Sequence, residues 1–135
     1  PSLFAYEKWL LNWIRNGQVI CNPDLGKIHT ISSLQRKSGK KLILIPLGNS
    51  KQLAVEYRTA SNLDVMLGRP GLVVYVVDSG QETGNGPIQV VSRSTESPTV
   101  DTTLIRVGQS IKRSGYQIRL VSVIGQKARV EITKN

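Results

Sequence analysis

After Gly17 the chain reads as short apolar runs separated by turn residues. Runs of roughly four to eight residues bounded by Gly, Pro, Asn, Asp and Ser predict strands. The runs fall at 18–21, 28–34, 41–47, 53–58, 71–78, 87–92, 109–113, 116–124 and 127–134. Asn22-Pro23-Asp24-Leu25-Gly26, Lys37-Ser38-Gly39-Lys40 and Gly48-Asn49-Ser50 are the turns between the first of them. In KARVEITK, Ala128, Val130 and Ile132 point one way and Arg129, Glu131 and Thr133 the other. YQIRLVSVI starts with the same alternation and then loses parity at Val121. A bulge or a strand half covered on both sides explains that break. Gly125-Gln126 and Ser114-Gly115 are hairpin-length connections, so the last three strands form a meander.

Two runs carry no alternation. GLVVYVVD is apolar on both faces and predicts a central strand covered on both sides. KLILIPLG is similar, but Pro46 lacks a ladder donor and belongs at a strand end, an edge or a bulge. Residues 79–103 hold few large apolar side chains and read as surface loops around one short strand. The expected architecture is mainly β, an antiparallel β-sandwich or a barrel-like fold, over residues 18–135.

Residues 1–17 differ. Tyr6, Leu10 and Trp13, flanked by Leu3 and Ile14, recur at helical spacing, and Trp9 widens the same face. Ser2 is placed to cap this N-terminal amphipathic helix, and Asn16-Gly17 to stop it. Trp9 and Trp13 predict a docking face, because two exposed indoles cost solubility.

The 135 residues are enough for one domain with a core that needs no staples. No apolar stretch reaches the roughly 20 residues that span a bilayer as a helix. The net charge of +9 favours anionic partners such as an acidic polymer or a cell surface. Arg36, Lys37, Lys40 and Lys41 are the one cluster of basic residues in sequence and the candidate site for such a partner. Nucleic acid is disfavoured, because four of the seven aromatics lie on the helix and few remain to stack bases.

Catalytic patterns are missing from the sequence. His29 is the single histidine and is followed by Thr30 and Ile31, so no HExxH is possible, and neither GxSxG nor GxxxxGK[ST] occurs. Cys21 is the single cysteine and reads as a small buried thiol rather than a nucleophile. Glu56, alternating with Tyr57 and Arg58, reads as an ion pair or a half-buried hydrogen bond. Asp64 and Asp78 are candidate calcium ligands, set against the ordinary role of Asp in turns and strand ends. No other cofactor is expected, and the chain by itself is expected not to be an enzyme.

Three stretches resemble the region that follows the catalytic domain in secreted, immune inhibitor A-like zinc metallopeptidases. FAYEKWLLNWI is similar to a K-x-x-L-G-W helix in that family, LILIPLGNSKQLAVEYRTASNLD to a strand ending in Pro-Leu followed by a Glu-x-Arg strand and a loop with Asp, and GRPGLVVYVVD to G-x-G-L-L-V-Y-x-V-D. Together they cover residues 4–78, a little over half of the chain. Asn12 stands where the pattern has Gly, and Val76-Val77 replaces a more polar pair. No residue matches the family's metal or catalytic positions, which the resemblance places upstream of Pro1. The resemblance implies an extracellular or cell-surface parent, with this chain as its non-catalytic accessory domain and the upstream catalytic domain as its partner. Two other expectations stand beside it: a basic module for an anionic polymer or carbohydrate, and a protein-interaction or assembly domain.

Overall fold

The computed structural model describes residues 15–33, 38–59, 71–78, 88–91 and 104–135. The predicted helix, with Trp9 and Trp13, lies outside them, as do Arg36, Lys37 and Asp64. Asn16–Gln18 form a single 3-10 turn where the sequence suggested a helix stop.

Ten strands follow. They are β1 (Val19–Cys21), β2 (Ile28–Ser32), β3 (Leu42–Gly48), β4 (Lys51–Arg58), β5 (Gly71–Asp78), β6 (Ile88–Val90), β7 (Leu104–Ile105), β8 (Ser110–Arg113), β9 (Tyr116–Ile124) and β10 (Lys127–Lys134). The larger sheet has the order β1-β3-β4-β5-β6, with β7 also paired to β5. The smaller has the order β2-β10-β9-β8. The protein is therefore mainly β with two sheets.

Two expectations need correction. The larger sheet is mixed rather than antiparallel, because β1 runs parallel to β3. The long connection through β2 returns the chain in the same direction, which a tight hairpin cannot do. Nor is there a closed barrel: the described strands form two open sheets whose ordered paths end at β1 and β6 and at β2 and β8.

Turn chemistry sets the hairpins. Asn49 and Ser50 connect β3 to β4, and Ser114 and Gly115 connect β8 to β9, all four with positive φ. Two successive positive-φ residues give the hairpin turn whose twist matches the flanking strands. The parity break in β9 is a bulge. Arg129 pairs with Ser122 and Val130 with Leu120, so Val121 is the extra residue. The bulge returns Val123 to the core side after Ile118 and Leu120.

Pro46 is exposed and sits beside a second register shift. The Asn22 N–H donates to Leu44 O, so Leu44 turns its backbone polar groups toward β1. Pro46, two residues on, faces the same side, where β1 has already ended. No ladder bond to β4 is lost.

One apolar cluster draws on both sheets. Ile43, Ile45, Leu53, Val55, Leu72 and Val74 supply the larger sheet's share. Ile31, Ile111, Ile118, Leu120, Ala128, Val130 and Ile132 supply the smaller sheet's. The opposite face of the larger sheet is buried as well: Leu42, Leu44, Ala54, Tyr75 and Val77 are at most 1% exposed. β5 is thus covered on both sides, as its unbroken apolar run requires. The opposite face of the smaller sheet is open to solvent in large part, and this asymmetry positions the site.

Candidate anion-binding face

The polar groups buried in the larger sheet hold one another. Glu56 is fully buried on the face of β4 opposite the shared core. Arg58 Nε donates to Glu56 Oε1 at 2.6 Å, and Tyr75 Oη on β5 donates to Glu56 Oε2 at 2.9 Å. Two-residue spacing on β4 puts Glu56 and Arg58 on one face, and the pairing of β4 with β5 brings Tyr75 beside them. The ion pair expected from the alternation is present, and it is fully internal.

The basic candidates after β2 divide. Lys41 is 3% exposed, and its ammonium donates to Ser33 O and Ser38 O, each at 2.8 Å. Its side chain ties Ser33, just after β2, to Ser38 and does not face solvent. Lys40 is exposed and donates to Gly17 O at 2.5 Å. Asp78 ends β5, half-buried, in register with Lys51. Among the described residues no group of three or more His, Cys, Asp or Glu could hold a metal ion.

His29 and Cys21 have modest roles. His29 Nε2 lies 2.9 Å from Asp24 O and so pins the turn before β2. Cys21 is exposed, contrary to the buried thiol expected. It is the last residue of an edge strand, where the sheet no longer covers it.

The residues that converge on an open surface belong to the smaller sheet. Lys112, Arg119, Lys127 and Arg129 are all exposed. The register defines their grid on the outer face. Ser32, Lys127 and Ile124 form one row, and Thr30, Arg129 and Ser122 the next. Ile28, Glu131, Arg119 and Ser110 form the third, and Thr133, Gln117 and Lys112 the fourth. Side chains two residues apart on a strand are about 6.7 Å apart, and neighbouring strands lie about 4.8 Å apart. Lys127, Arg129, Arg119 and Lys112 therefore run diagonally over three strands, with steps of about 7–8 Å.

Glu131 is the one carboxylate on this grid, beside Arg129 and opposite Arg119. The four cations make no ion pair among the described residues, which keeps the face net positive. Ser122 Oγ, next to the bulge, is buried with no hydrogen-bond partner among the described residues. At the rim, the Lys134 ammonium lies 5.4 Å from the Tyr116 ring centre. Sequence reasoning missed this band because its members are scattered along the chain. The signal available was the outward parity of Arg129 and Arg119 in two alternating strands joined by a two-residue turn.

No known protein family, curated protein or solved structure matches the chain. The functional reading therefore rests on the geometry and on the motifs themselves.

Proposed function

We propose that the chain is a non-catalytic accessory β domain, a β-sandwich belonging to a secreted metallopeptidase-like protein. The observation that carries this reading is the placement of the motifs that resemble that family. LILIPLG, KQLAVEYR and GLVVYVVD are β3, β4 and β5, three consecutive antiparallel strands at the centre of the larger sheet. Their polar signature, Glu-x-Arg, forms the buried Glu56–Arg58 pair, which is structural. A motif spent on building the middle of a sheet suits a supporting domain, with hydrolysis assigned to a separate catalytic domain. The parent's extracellular or cell-surface location belongs to the same proposal.

The test is a protease assay on the purified 135-residue chain with a casein substrate, with and without a chelator. The expected result is no hydrolysis in either condition. Chelator-sensitive hydrolysis that co-purifies with the chain would overturn the reading. So would a gene whose product carries no metal-binding HExxH sequence N-terminal to this domain.

A further inference from the structure

We infer that the open face of the four-stranded sheet binds a linear anionic polysaccharide along the diagonal Lys127–Arg129–Arg119–Lys112. This goes beyond the accessory-domain reading and does not depend on it. Of the basic residues adjacent in sequence, Lys41 is buried on carbonyl oxygens and is not open to a ligand. The diagonal sets four exposed cations on one paired-strand surface.

Three features favour a charged glycan. The first is charge: among the described residues of this face four cations stand against Glu131, so an extended polyanion lying across the strands gains attraction along its length. The second is rigidity. β9 and β10 pair over their lengths, so their arginines and lysines project from fixed backbone positions and no backbone freedom has to be given up on binding. The third is the chemistry between the cations. Thr30, Thr133, Gln117 and Ser110 share the outer face and offer hydroxyl and amide groups suited to sugar hydroxyls.

Nucleic acid fits the face less well. Single strands are held by aromatic rings on which bases stack. Among the described residues of this outer face there is no aromatic ring, since Tyr116 packs toward the core. A polyanion without bases needs no such ring.

The test uses the full chain and fluorescent dextran sulfate, with neutral dextran, oligo-dT and a short DNA duplex as competitors. Neutralising four charges gives a slope of about −3 in log affinity against log salt, by analogy with single-stranded polyanions, so binding should weaken roughly fifty-fold between about 50 and 200 mM salt. The variant K127A/R129A should lose about tenfold at the lower salt, with the slope halved. R15A/K51A, which removes two exposed charges outside the smaller sheet, one before the 3-10 turn and one on β4, should leave affinity nearly unchanged. Far-UV circular dichroism confirms that each variant is folded; exposed positions on paired strands tolerate alanine. No binding at low salt, equal competition by neutral dextran, or a loss in R15A/K51A matching that in K127A/R129A overturns the inference. Tighter binding of either nucleic acid than of dextran sulfate overturns it in favour of a nucleic-acid surface.

Discussion

Replacing Arg58 by Met tests how the larger sheet holds its buried charge. The perturbation removes the guanidinium that lies 2.6 Å from Glu56 and keeps a side chain of similar reach. At an effective dielectric of about 20 the gross attraction at that distance is about 6 kcal/mol, and the cost of desolvating both ions opposes it. The net worth of the pair is therefore small. Breaking it on one side is a different matter, because Glu56 has no exposure through which water could compensate. Removing one partner of such a pair costs about 3–5 kcal/mol, a large part of a domain's usual 5–15 kcal/mol. Removing both charges in E56L/R58M should restore most of that loss and leave the protein within about 2 kcal/mol of the original. Y75F should cost about 1.5–3 kcal/mol, as one hydrogen bond to a charged group is lost. Urea unfolding followed by far-UV circular dichroism measures all three, with the slope m expected to be unchanged. The reasoning is refuted if R58M loses less than about 1 kcal/mol, or if the double variant is as unstable as R58M. If R58M does not fold, the double variant alone decides, since it should fold.

Three further outcomes are expected. Gly39→Ala should destabilise by about 1–3 kcal/mol, because Gly39 has φ +94° and a Cβ there would run into the Ser32 hydroxyl; unchanged thermal unfolding would refute it. Burial raises the Tyr57 phenol above its ordinary value of about 10. The folded protein then keeps a proton that the unfolded chain releases, so this contribution is complete below about pH 10 and is lost as pH rises through the folded value. Tyr57→Phe should flatten the alkaline fall in stability, measured as urea midpoint against pH. The Cys21 thiol should react with a disulfide reagent in native buffer nearly as fast as in urea, because it is exposed; a thiol that reacts only after unfolding would contradict its placement.

Local signals determined much of this protein. The alternation in KARVEITK and the unbroken run in GLVVYVVD each identified a strand and its burial, since strand period and two-sided covering are written in neighbouring residues. The positive-φ pair Ser114-Gly115 and the parity break at Val121 marked a hairpin and a bulge for the same reason. Glu56, two residues from Arg58 on one strand, signalled an ion pair or a half-buried hydrogen bond, and the structure forms the ion pair. The tertiary structure alone decided what depends on partners distant in sequence. The parallel pairing of β1 with β3, the brief β7, and the addition of β2 beside β10 rest on contacts across long stretches of chain. Lys40 and Lys41 read alike in sequence, yet the carbonyls of Ser33 and Ser38 take one ammonium, so Lys41 is buried while Lys40 stays exposed. The diagonal of Lys112, Arg119, Lys127 and Arg129 has the same origin. Each strand contributes one or two charges, and only the register of three strands lines them up on one face.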